Sequence, residues 1–276
     1  MFTLNCKGKL VIIEKPLIMG ILNINGDSFY EGSRFEDLDI IATKAEHMIN
    51  EGADILDIGG QSTRPASLRI SAEEEIKRVI PVIEMLSKKT GDVLLSIDTY
   101  HSSVAEAAVN AGASIVNDIG AGEMDKNMIA MVASLGVPYI CMHLKGLPET
   151  MHLTIHYENI VTEVLDFFIK KTEECRLAGI KDVIIDPGFG FGKTIGHNFT
   201  LLKNLPLFKM LEKPIMAGLS RKSIIYKTLH TTAGGSLNGT TVLNTIALQN
   251  GANILRVHDV SEAREAVILV EAYGKA

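Results

Sequence analysis

The chain contains no tryptophan, and only 5% of its residues are aromatic. Its three cysteines, Cys6, Cys141 and Cys175, lie far apart and form no C-x-x-C pair. That excludes a disulfide framework and a zinc–thiolate site, and it fits a reducing compartment. No segment gathers lysines and arginines, and the net charge is −6. Nucleic acid and an anionic membrane surface are therefore excluded as expected partners. No apolar run approaches the roughly 20 residues that span a bilayer. Met1 to Lys9 has neither the apolar core nor the cleavage pattern of a secretory leader. A soluble, cytoplasmic protein is the expectation. Linkers, low-complexity tracts and composition breaks are also missing, so one domain over residues 1–276 is expected. With 46% hydrophobic residues it can bury a large core, and single α/β barrels of about 200–250 residues are common.

What is present is an alternation of short apolar runs with helix-period segments. The runs 17–22, 55–58, 93–97, 114–116, 139–142, 183–185, 215–217 and 254–257 are bounded by Gly, Pro, Asn or Asp. Such runs fit strands of a buried parallel sheet. Between them Ile76, Val79, Ile80, Ile83 and Leu86 recur at helical spacing, as do Ile160, Val161, Val164, Leu165, Phe168 and Ile169. A last helix carries Ala263, Ala266, Val267 and Val270, with Ser261 as its expected start. Gly52, Gly112, Gly136, Gly179 and Gly251 each stand between a helix and the next strand, where a left-handed helix stop is needed. Eight such units predict a TIM-type (β/α)8 barrel. A doubly wound sheet would place a Gly-rich fingerprint after its first strand, and Asn23-Ile24-Asn25-Gly26 is not one. Residues 3–5 and 10–13, flanking Lys7-Gly8, read as a β-hairpin covering the lower end of the barrel.

Barrel enzymes carry their sites at the C-terminal ends of the strands. Each strand here delivers polar groups to that end. The richest loop is Asp186-Pro187-Gly188-Phe189-Gly190-Phe191-Gly192-Lys193, which sets an acid, two flat rings and a cation on one tight turn. Asp98, Asn117 and Asp186 are placed to line a deep pocket, where they would read an amino-pyrimidinone edge. Arg256 offers a plane for stacking and a fork for phosphate. Asn23, Arg256 and His258 together would hold a diphosphate, with Asn23 offering a carbonyl oxygen to Mg²⁺. Lys222 supplies a point charge. Asp118 and Asp259 read as caps for backbone amides. His143 is either a ligand contact or a core histidine, the second being favoured. No Ser–His–Asp spacing and no zinc-like cluster stands out, so the site is expected to hold a leaving group rather than form a covalent intermediate.

Gly20-Ile21-Leu22-Asn23, Asp27-Ser28-Phe29, Gly59-Gly60-Gln61-Ser62-Thr63-Arg64-Pro65, Ser96-Ile97-Asp98-Thr99, Asn117-Asp118-Ile119, Met142-His143, Asp186 to Lys193, Ser220-Arg221-Lys222-Ser223 and Arg256-Val257-His258-Asp259-Val260 follow one another in the chain. In kind and order they resemble the motifs of the dihydropteroate synthases. The resemblance implies a transferase of folate biosynthesis, the target of sulfonamides. The reaction it implies joins 6-hydroxymethyl-7,8-dihydropterin diphosphate to 4-aminobenzoate and releases pyrophosphate. It further implies pterin contacts from Asp98, Asn117, Met142, Asp186, Lys222 and Arg256, and a diphosphate and Mg²⁺ site at Asn23, Arg256 and His258. The implied aminobenzoate pocket is Phe29, Thr63, Arg64, Pro65, Phe191, Ser220 and Lys222. The catalytic set is Asp98, Lys222, Arg256 and His258, and a homodimer is the implied assembly. Family members carry Thr-Pro where this chain has Asn25-Gly26, and Gly where it has Ala66. Both changes fall in the two long loops that are expected to close over the site. A corrinoid-linked methyltransferase on the same barrel would share Asp98, Asn117 and Asp186, but it has no use for the phenylalanine-lined pocket or for Ser220-Arg221-Lys222.

Overall fold

A computed structural model describes residues 1–24, 34–61, 69–146, 150–151 and 155–276, with 34–36 described by backbone only. An antiparallel hairpin of β1 (Phe2–Cys6) and β2 (Lys9–Ile13) comes first. Then follow β3 (Leu17–Asn23), α1 (Arg34–Asn50), β4 (Ile55–Gly59), α2 (Ala72–Lys89), β5 (Leu94–Asp98), α3 (Ser102–Ala111), β6 (Ile115–Asp118), α4 (Met128–Leu135) and β7 (Tyr139–Met142). The second half runs through α5 (Ile160–Ala178), β8 (Val183–Asp186), α6 (Ile195–Lys203), β9 (Met216–Ala217), α7 (Ser223–Thr228), α8 (Leu237–Gln249), β10 (Ile254–Val257) and α9 (Val260–Gly274).

The order β8-β7-β6-β5-β4-β3-β10-β9 is parallel throughout. A lone parallel bridge from Ile185 to Ile215 joins its two ends, so the eight strands close as the sequence predicts. Of the expected run 215–217, Met216 and Ala217 pair with β10, and Ile215 bridges to Ile185 on β8. Several strands instead reach further than their apolar runs: Asn23, Gly59, Asp98, Asp118 and Asp186 all lie inside the ladder. Backbone pairing does not depend on side-chain polarity. The last helix starts one residue before Ser261, at Val260, with Asp259 in the cap position.

Successive strand side chains point to opposite faces, and this sorts the barrel. Met19, Ile55, Leu94, Ile115, Ile140, Ile184, Met216 and Ile254, one from each strand, form a buried layer with Leu4, Cys6 and Ile13 of the hairpin. The hairpin thus plugs the lower end, as expected. Leu56, Ile58, Leu95, Ile97, Val116, Cys141, Ile185, Leu255 and Val257 face the helices and make the main core with Val79, Ile83, Val104, Val164 and Phe168. Two residues above the lower layer, the same inward face carries Asp57, Ser96, Asn117, Asp186 and Arg256. The apolar floor gives way to a polar mouth within one pleat. Among the described residues, no helix is long and apolar enough to cross a membrane.

Candidate active site

Arg256 organises the mouth of the barrel. Its Nε donates to Asp57 Oδ2 at 2.6 Å, and its Nη2 donates to Asp98 Oδ2 at 2.5 Å. Asn117 Nδ2 donates to the same Asp57 oxygen at 2.9 Å. Four side chains from β4, β5, β6 and β10 are therefore one continuous network. Its acids and its carboxamide are buried. Burial raises the Asp98 carboxyl, and the Arg256 charge opposes that rise. With the guanidinium at contact distance we take Asp98 as the carboxylate of an ion pair. The run 55–58 reads as plain apolar strand, which conceals Asp57 in the sequence. The two-residue period was the available signal: Asp57 shares a face with Ile55 and Gly59, inside the barrel.

The β8 loop forms the opposite wall. Asp186 Oδ1 accepts the Gly188 N–H at 2.8 Å, and Gly190 N–H donates to Asn198 Oδ1 at 2.7 Å. Lys193 is buried, and its Nζ donates to three carbonyls: His143 O at 3.2 Å, Gly188 O at 3.0 Å and Phe191 O at 3.0 Å. It ties the tip of β7 to the β8 loop. Burial pushes the Lys193 ammonium down, to about 7, against the pull of Asp186. Lys222 Nζ donates to Phe189 O at 2.6 Å and stands 4.6 Å from the centroid of Phe191. Burial pushes it down to about 8, again opposed by Asp186. A cation with a depressed pKa between a carboxylate and a ring is expected at a ligand site. Met142 packs with Tyr100 and Ile119, and Phe191 covers that cluster, so one side of the pocket is apolar.

Ser220 and His143 make further contacts at this mouth. Ser220, expected beside aminobenzoate, has its Oγ 3.0 Å from His258 Nδ1, and it accepts the His258 N–H at 3.2 Å. It therefore holds the histidine ring. His143 is buried edge-on to Phe167 at 4.9 Å, which is the core reading. Asp118 caps backbone as expected, accepting from Gly120 and Gly122 and from the Tyr139 hydroxyl. Asp259 instead forms a two-pronged ion pair with Arg221, at 2.9 and 2.7 Å. Asn23 sits exposed at the tip of β3, beside Gly59. Phe29, Thr63, Arg64 and Pro65 lie outside the described residues, as do Asn25-Gly26, Ala66 and most of the two long loops.

A closed parallel barrel with acids, a carboxamide and cations meeting at its C-terminal mouth defines an α/β-barrel enzyme with a deep polar ligand pocket. Residues 19–258 match the family model for pterin binding enzymes. The chain is 41% identical over 275 residues to the dihydropteroate synthase of Haemophilus influenzae, covering 99% of each chain. Its fold superposes on the Yersinia pestis dihydropteroate synthase solved with a sulfonamide drug, with TM-score 0.93, 38% identity and full coverage of both chains. It also matches the Xanthomonas albilineans dihydropteroate synthase in complex with 7,8-dihydropteroate, with TM-score 0.88, 36% identity and full coverage. The chain belongs to the pterin-binding enzymes and, among them, to the dihydropteroate synthases.

Proposed function

We infer that this chain condenses 6-hydroxymethyl-7,8-dihydropterin diphosphate with 4-aminobenzoate to give 7,8-dihydropteroate and pyrophosphate, a step of folate synthesis. The observation that carries this reading is the buried Asn117–Asp57–Arg256–Asp98 network facing Asp186 and Lys222. It lies in a chain that matches a synthase solved with 7,8-dihydropteroate over its full length. Asn117, Asp186 and Asp98 take the amino and ring N–H groups of the pterin, Met142 and Lys222 border it, and Arg256 lies against its plane. Asn23, Arg256 and His258 take the diphosphate. Aminobenzoate lies between Phe29, Thr63, Arg64, Pro65, Phe191, Ser220 and Lys222, and sulfonamides compete for that place.

The reaction is a charge separation. The methylene C–O bond breaks, and its electron pair leaves on the diphosphate. The resulting cation is delocalised into the pterin ring and stabilised by the Asp98 carboxylate. Arg256, Lys222 and His258 stabilise the leaving anion. The amine lone pair of aminobenzoate then forms the C–N bond, and its proton goes to solvent. Preorganised charges of this kind contribute about 10²–10³ each in rate.

A divalent ion fits this donor set. Among the described residues no three His, Cys, Asp or Glu gather to hold a metal. Mg²⁺ needs no such cage, because it keeps waters and binds through substrate phosphates with one or two protein oxygens. Asn23 would supply that oxygen, and the ion would neutralise the diphosphate as it leaves.

We further propose one domain over residues 1–276 and a homodimer. The exposed Val242 and Ile246, one turn apart on α8, and Leu269 and Tyr273 on the adjacent α9 support a covered face. The free, buried Cys6, Cys141 and Cys175 suit the cytoplasm. The test of the reaction is joint formation of pyrophosphate and 7,8-dihydropteroate in equal amounts. Pyrophosphate without dihydropteroate would reduce the protein to a diphosphatase.

A further inference from the structure

Three acids open α2 and diverge. Glu73 is exposed, and Glu74 pairs with Arg78 at 3.0 Å. Both suit the positive end of a helix. Glu75 shares the helix face of Val79, Val82 and Leu86, and like them it is fully buried. A leucine would suit that position by size and polarity. A glutamate there needs a reason.

Glu75 Oε2 lies 3.0 Å from Thr99 Oγ1, and its Oε1 is buried without a partner among the described residues. The Thr99 hydroxyl already accepts the His101 N–H at 3.1 Å, so its own proton goes to Glu75. The Thr99 N–H donates to Asn117 O at 3.0 Å. Thr99 follows Asp98 directly. Through its hydroxyl and its backbone N–H, Thr99 thus links Glu75 to the tips of β5 and β6, which carry two of the pocket's polar side chains.

We propose that Glu75 is a positioning residue for the synthase reaction: held on the rigid α2, it fixes Thr99 and so aims Asp98 and Asn117 at the pterin. The proposal rests on the function inferred above. Burial raises the Glu75 carboxyl to about 8; the Thr99 hydrogen bond opposes this, the Asp98 charge adds to it, and Arg78 opposes it weakly. Arg78 on the same helix and Asp98 on β5 are the charged groups acting on it. Burial thus favours the neutral form of Glu75, which spares Asp98 a second negative charge nearby. The folded pKa lies above the unfolded value. The stability this group contributes is therefore complete below about pH 4.5 and is lost as pH rises to about 8.

The test compares Glu75→Leu, Glu75→Gln, Thr99→Val and Thr99→Ser by steady-state kinetics, by calorimetric binding of the pterin diphosphate, and by urea unfolding from pH 5 to 8. Glu75→Leu and Thr99→Val are expected to stay folded, to lose about tenfold or more in kcat/KM and affinity for the pterin diphosphate, and to leave the aminobenzoate KM within about twofold. Glu75→Gln and Thr99→Ser are expected to stay near wild type, and Glu75→Gln should also flatten the decline of stability with pH. Should Glu75→Leu not fold, Thr99→Val makes the same comparison. Wild-type kinetics in Thr99→Val, equal losses for both substrates, or Glu75→Gln as impaired as Glu75→Leu would overturn the assignment. A wild-type protein without synthase activity would instead remove the functional reading, while pterin binding by the variants would still decide whether Glu75 positions the pocket.

Discussion

At the scale of single residues the pocket is a balance of buried charges. Asp57, Asp98 and Asp186 face Arg256, Lys222 and Lys193. Any one of these alone would be expensive to bury, and pairing is what makes them tolerable. Asp57 is the clearest case, because one oxygen takes both Arg256 and Asn117. Asp57→Asn removes the charge at constant size. It is expected to lower unfolding free energy by roughly 3 kcal/mol in urea titrations and to weaken pterin diphosphate binding. An unchanged midpoint with unchanged binding would mean that Asp98 alone holds Arg256. The sequence points to Asp98, Asn117 and Asp186 because each ends an apolar run. It conceals Asp57, which lies within one, and it conceals Ser220's partner, because His258 lies 38 residues away.

At the scale of elements, the β8 loop is shaped by close approach rather than by its charges. Gly188 has φ +68°, and a methyl group there would stand 2.1 Å from the His143 carbonyl oxygen. That carbonyl is also a ligand of Lys193. Gly188→Ala must push β7 and β8 apart at their tips. A loss of about 3 kcal/mol or more in stability is expected, with a larger fall in pterin use than in overall helix content. Thermal unfolding followed by circular dichroism, with pterin titrations alongside, checks this; a variant as stable as wild type would show that the loop accommodates the methyl group. The sequence signals this loop plainly through its glycines and Pro187. Strand ends are less legible, since Asn23, Asp98, Asp118 and Asp186 pair like any other strand residue. The short β9 is the least legible: its register depends on Asn253, whose side chain and backbone both bond Ile215.

At the scale of the whole molecule, closure of the barrel brings residues 23 to 258 to one mouth, and the hairpin seals the floor below them. The proposed homodimer would cover the outward apolar faces of α8 and α9. Light scattering is expected to give twice the 30.0 kDa chain mass, and Val242→Glu is expected to return the monomer value; a wild-type monomer would remove the dimer. We propose that this mouth separates a pterin cation from diphosphate so that an aromatic amine can capture it. Pyrophosphate release from 6-hydroxymethyl-7,8-dihydropterin diphosphate and Mg²⁺, measured with and without 4-aminobenzoate, tests that most directly. Release is expected to depend on 4-aminobenzoate and to match 7,8-dihydropteroate mole for mole. Bound pterin with no amine-dependent release would contradict it.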